Sequence, residues 1–125
     1  MGRVRERLIA GVVTASLVML GLACGDDGSD AAGGRGEAIY RANCSACHGD
    51  DLRGASTGPS LLYDIYGPDQ LTDAGITDAI RNGVEEQRWN FGEMPANGAL
   101  GDSQIDQIIA HIRSVQSTEG LTPTP

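Results

Sequence analysis

An all-α domain is the fold class this sequence predicts, and three observations predict it. Ile105, Ile108, Ile109 and Ile112 recur at i, i+3, i+4 and i+7, which draws one apolar stripe down a helix. Residues 72–82 carry helix signals of their own. Asp73 stands in the first turn, Ile76, Ala79 and Ile80 share one face, and Arg81 and Gly83 mark the end. Between the helical patterns lie Gly/Pro-rich segments, and no stretch alternates apolar and polar residues as a half-buried strand would.

The chain opens with a basic segment, residues 3–7, followed by an apolar run of 16 residues from 8 to 23. That run is short for a membrane span and suits a secretory signal. It ends Leu20-Gly21-Leu22-Ala23-Cys24, which resembles a bacterial lipobox, so residues 1–23 read as a signal peptide and Cys24 as the lipidated first residue of the mature chain. The alternative is an uncleaved signal anchor with an incidental Cys24. Residues 24–35 are rich in Gly, Asp, Ser and Ala and read as a flexible tether. The folded domain is expected over 36–116, and 117–125, ending Thr-Pro-Thr-Pro, reads as a disordered tail.

Within the domain, residues 37–43 read as a short helix, the first of three. The second covers 72–82. The third holds the isoleucine stripe and starts at Gly101 and Asp102.

Charge narrows the partners. The net charge is -8, and all nine basic residues are arginine. Residues 1–23 contribute +2, so the remainder carries -10. A chain this acidic is not built to bind nucleic acid or anionic lipid through charge. Steering would favour a basic partner surface.

The chemistry concentrates in Cys44-Ser45-Ala46-Cys47-His48. This is a C-x-x-C-H motif, read as an attachment site for c-type haem. Two thiols three positions apart can each add to one vinyl group of the same porphyrin. The adjacent His48 is then placed as proximal ligand to the iron. The motif occurs once, so one covalent haem is expected. A domain of about 80 residues with so few large side chains has a marginal core, which a covalent cofactor would staple.

Gly36 and Tyr40, the haem motif, Gly58-Pro59, Met94-Pro95 and the C-terminal helix stand in the order found in class I cytochromes c, and the chain resembles that family over about 80 residues. The resemblance implies three to five short helices wrapped around one haem c. It implies Met94, 46 residues after His48 on a Gly/Pro-rich loop, as the sixth ligand. It implies that the Pro59 carbonyl accepts a hydrogen bond from the free ring N–H of His48. It also implies that Gly36 lets the N-terminal helix cross closely over the C-terminal one, with Tyr40 alongside and Ile108 and His111 opposite. The family usually has a tyrosine where His111 stands, and His111 reads as a packing histidine with one hydrogen bond.

Haem propionates need donors when buried. Trp89 offers an indole N–H, and Arg53, Arg88 and Asn90 are weaker candidates. Tyr63 and Tyr66 read as packing residues. The expected function is electron carriage without catalysis, on the outer side of a bacterial membrane, since c-type haem is attached outside the cytoplasm. The family's usual lysine docking ring is absent, because the chain has no lysine. Two alternatives remain at this level: a haem enzyme or gas sensor with a displaceable sixth ligand, and a zinc site of Cys44, Cys47, His48 and His111. Adjacent Cys47 and His48 suit a tetrahedral shell poorly.

Overall fold

The structure is a computed structural model that describes residues 28–123. The signal segment, Cys24 and the last two residues lie outside the described residues. Those described form four α-helices: α1 Gly28–Asn43, α2 Ser45–His48, α3 Asp73–Asn82 and α4 Asp102–Thr118. A 3₁₀ turn spans Asp64–Tyr66. Pairing of the strand type is confined, among the described residues, to two isolated bridges, Ala55 with Gly58 and Val84 with Met94. The fold is all-α, as the periodicity predicts.

Local chemistry sets the helix ends. Thr72 caps α3, its hydroxyl accepting from the Gly75 N–H at 3.1 Å. Gly83, at φ 77°, ends it in a backbone conformation that favours glycine. At the start of α4 the Gln104 side chain reaches back to the Gly101 N–H at 3.0 Å and satisfies one of the orphan donors there.

The isoleucine stripe of α4 is buried, with Ile105, Ile108, Ile109 and Ile112 all in the core beside Tyr40, Leu52, Ile76, Ile80 and Leu100. α1 crosses α4 at Gly36. A Cβ there would lie 2.2 Å from the Gln107 carbonyl oxygen and 3.2 Å from His111 Cβ, so only glycine permits the contact. One turn on, the Tyr40 and His111 rings sit 5.3 Å apart. The close approach expected of Gly36 is present, but the backbone it meets is that of Gln107 rather than Ile108.

Two boundaries differ from the sequence expectation. α1 begins at Gly28, nine residues before the expected start, and takes in much of the supposed tether. Once a turn is nucleated, each further residue adds a hydrogen bond at little cost, and Ala31 and Ala32 are strong helix formers. At the other end, α4 runs to Thr118 and the supposed tail is ordered beyond it. The Leu121 N–H donates to the Gln116 carbonyl at 2.9 Å, Leu121 packs beside Gly67, and Glu119 pairs with Arg53 at 2.8 Å. One leucine with a place to pack holds the segment that composition assigns to disorder.

Leu52 is the fold's one positive-φ residue other than glycine among those described, at φ 63°, and it is fully buried. The left-handed region costs roughly 1–2 kcal/mol. Burying a leucine returns about 1.5–3 kcal/mol. Packing therefore outweighs the strain, and the loop after the haem motif is pinned to the core.

Candidate haem site

α1 runs almost continuously into the C-x-x-C-H segment. The Cys44 N–H bonds to the Tyr40 carbonyl at 2.7 Å, and the Cys47 and His48 N–H groups both bond to the Cys44 carbonyl, at 3.1 and 2.9 Å. This single helical turn puts Cys44, Cys47 and His48 at i, i+3 and i+4, on one face. Gly49, at φ 80°, then reverses the chain, and the Tyr40 hydroxyl donates to its carbonyl at 2.9 Å. Burial raises the Tyr40 hydroxyl well above the usual phenol range, so it is a fixed donor.

The returning loop closes behind the histidine. Gly58 packs so tightly that a Cβ on it would lie 2.5 Å from the Cys47 carbonyl oxygen. The next residue, Pro59, brings its carbonyl oxygen to 3.0 Å from His48 Nδ1. A carbonyl can only accept, so Nδ1 must carry the proton. The neutral ring then keeps its lone pair on Nε2, the atom a metal would take. Cys44 and Cys47 form no disulfide with each other, and burial, followed by the nearby Cys47, pushes the Cys44 thiol up to about 11.

Met94 arrives from the other direction. Val84 and Met94 exchange two backbone hydrogen bonds, at 2.9 and 2.8 Å, which ties the methionine to the end of α3. A Cβ on Gly83 would sit 2.6 Å from the Met94 carbonyl oxygen. The Asn97 N–H bonds to the Ile80 carbonyl at 2.7 Å, and its side chain reaches Asn43 of α1 at 3.3 Å.

Between these segments lies a cavity of about 570 Å³ whose wall includes Cys44, His48, Pro59, Trp89 and Met94. Its floor is apolar, with Ile76, Ile80, Ile108 and Ile112. Sites for organic cofactors span about 300–1,000 Å³. Among the described residues four large apolar side chains are exposed, and three of them, Val84, Trp89 and Phe91, line this cavity. They are the surfaces a bound apolar group would cover. The donor set, volume and uncovered walls together fit a haem.

The remaining expected residues are divided between the cavity wall and other parts of the fold. The Trp89 indole N–H donates to the Tyr66 hydroxyl at 3.1 Å, and its ring stacks on Tyr63 at 5.2 Å and 27°. Arg53 pairs with Asp51 and Glu119 away from the cavity, whereas Arg88 lines it. His111 lies at the helix crossing. Its Nε2 is buried and has no partner among the described residues, against the expectation of one hydrogen bond. Among those residues no group of three His, Cys, Asp or Glu could hold a bare metal ion, so the zinc arrangement does not form.

Sequence patterning did not single out Arg113 and Gln116. The Gln116 side chain, 1% exposed, donates to the Leu61 and Tyr66 carbonyls at 2.8 and 3.0 Å. Arg113 donates to the Tyr66 carbonyl at 3.1 Å, to the Leu71 carbonyl, and to Asp73 at 2.8 Å. Together they fasten one wall of the cavity to α4. The only signal in the sequence is a polar residue, Gln116, continuing the isoleucine stripe at i+4 from Ile112.

A helical fold with this thiol–imidazole turn and a facing methionine defines a class I c-type cytochrome domain, an electron-transfer module that implies haem c. A family model described as cytochrome c oxidase, cbb3-type, subunit III matches residues 31–112, and the chain belongs to that family. It is 31% identical over 90 residues to a Cbb3-type cytochrome c oxidase subunit CcoP of Cereibacter sphaeroides, covering 67% of this chain and 31% of that protein. It is 30% identical over 84 residues to the CcoP subunit of Rhodobacter capsulatus, covering 64% and 28%. The chain thus spans about a third of the length of these relatives. No solved structure matches it.

Proposed function

We propose that the chain is a membrane-tethered, mono-haem c-type cytochrome that passes single electrons, with iron held axially by His48 and Met94. The observation that carries this reading is the 3.0 Å approach of Pro59 O to His48 Nδ1 on the wall of an apolar cavity that Met94 also lines. Bound haem would supply reversible one-electron chemistry at its iron.

The protein's own residues do the rest. Pro59 holds the imidazole in one tautomer and leaves Nε2 to donate. Cys44 and Cys47 would anchor the porphyrin as thioethers. Met94 is a soft neutral donor, which favours the reduced metal and raises the potential relative to nitrogen ligands. With His48 and Met94 both holding the iron, no coordination site would remain for a substrate. The isoleucine floor excludes water.

Cys24 would carry the lipid and place the domain outside the cytoplasm, beside a membrane. The net charge of -8 favours a partner with a basic surface. The relatives are named as oxidase subunits, which makes a cytochrome c oxidase the first electron acceptor to test. One C-x-x-C-H motif supports one haem in this chain.

A redox titration of the holoprotein with its visible spectrum tests the reading. The expected result is low-spin haem in both states, a long-wavelength Met-to-iron band in the ferric form, and a single one-electron wave. High-spin ferric haem, or ready carbon monoxide binding by the ferrous form, would favour an enzyme or gas sensor instead.

A further inference from the structure

We propose that Trp89, Tyr66 and Tyr63 form a latch that holds the Met94 loop closed over the cavity, and that Trp89 and Tyr66 are positioning residues for Met94. This rests on the reading of Met94 as an iron ligand.

Residues 85–93 make an exposed excursion between Val84 and Met94, whose two mutual backbone bonds close its base. A hydrogen bond between described residues carries the excursion onto another segment. That bond runs from Trp89 Nε1 to the Tyr66 hydroxyl at 3.1 Å. The same ring stacks on Tyr63. Both Trp89 and Tyr66 line the cavity, so their bond joins two parts of its wall that stand 23 residues apart in sequence.

The receiving side is rigid. The Tyr66 carbonyl accepts from both Arg113 and Gln116 of α4, at 3.1 and 3.0 Å. The Tyr66 hydroxyl is therefore presented from a backbone that cannot easily follow a moving loop. The exposed excursion is the side able to move, and Met94 follows directly on its last residue. Opening the latch lets the chain on the N-terminal side of Met94 swing away, and closing it presents the thioether to the cavity. A thioether is a weak neutral ligand, so its occupancy depends on how firmly the loop is held. A hydrogen bond and a stacked ring pair are each of a size that changes such an equilibrium several-fold to tenfold.

The test uses holoprotein variants. Trp89→Ala removes bond and stack, whereas Trp89→Phe and Tyr66→Phe remove the bond alone. Trp89→Ala is expected to speed carbon monoxide binding to the ferrous form about tenfold. It should also lower the pH at which the ferric Met-to-iron band is lost, with covalent haem content unchanged. The two Phe variants should show the same changes at smaller size, and combining them should add nothing beyond either one, because they delete one shared bond. Native-like carbon monoxide kinetics and band in all three variants would overturn the latch. If Trp89→Ala does not fold, the two Phe variants decide alone. A native protein that lacks the band, or binds carbon monoxide freely, would refute the Met94 ligation itself, a result distinguishable from failure of the latch.

Discussion

Adding one methyl group at Gly36 should unseat the whole helix crossing. A Cβ at this position would sit 2.2 Å from the Gln107 carbonyl oxygen and 3.0 Å from its carbon, and both are backbone atoms of α4. No rotamer change can relieve such a clash. Reaching an ordinary 3.4 Å contact needs about 1.2 Å of separation between α1 and α4. A gap of about 1 Å forfeits up to half of each dispersion contact that bridges it, including those of Tyr40 on His111. Overpacking costs about 1–3 kcal/mol, and the rigid partner puts this site near 3 kcal/mol. Alanine recovers about 1 kcal/mol of helix propensity, so Gly36→Ala should lose about 2 kcal/mol. For a domain of this size each kcal/mol shifts Tm by about 4–8 °C, giving a drop of about 8–16 °C. Gly34 supplies the control. It lies on the same helix with nothing within 4 Å of its would-be Cβ, so Gly34→Ala should gain about 0.5–1 kcal/mol. Thermal melts of both holoproteins, followed by far-UV circular dichroism, measure the contrast. Equal shifts for the two variants would refute the argument that the crossing demands glycine.

Met94→Ala should keep covalent haem, open the sixth position and lower the reduction potential; an unchanged spectrum and potential would remove Met94 from the iron. His111→Phe should stabilise the fold by about 1 kcal/mol by deleting a buried Nε2 that has no partner among the described residues. Burial lowers the His111 pKa, with Arg41 acting the same way and Glu37 opposing. Folded His111 therefore binds fewer protons than unfolded His111 from its lowered pKa up to the ordinary value near ~6.5. Stability should fall as pH drops through that window, and the advantage of His111→Phe should widen there in urea melts; a constant advantage would argue against a buried neutral ring. Cys24→Ser should release the protein into the soluble fraction, and retention on membranes through the N-terminus would favour an uncleaved anchor.

The haem motif, the Gly58-Pro59 segment and the α4 stripe were legible because each depends on residues close together in sequence or on a simple period. The i, i+3, i+4 placement of Cys44, Cys47 and His48 follows from one helical turn. The hydrogen-bond partner of Trp89 was not legible. An indole N–H announces a need for an acceptor but not which one, and its acceptor, the Tyr66 hydroxyl, lies 23 residues away. Arg113 and Gln116 were missed for a similar reason. A polar residue continuing an apolar stripe reads as the stripe's end until the carbonyls it serves come into view.

Sequence alone determined the helical class, the thiol–imidazole turn and the acidic character, since local periodicity and covalent chemistry do not depend on what packs where. Tertiary structure alone decided that Leu52 takes a left-handed backbone, that Gly36 faces Gln107, and that α4 and Leu121 extend the order past residue 116. Those outcomes are balances between a local cost and a contact made by a distant segment. Only the folded chain brings the two terms of each balance together.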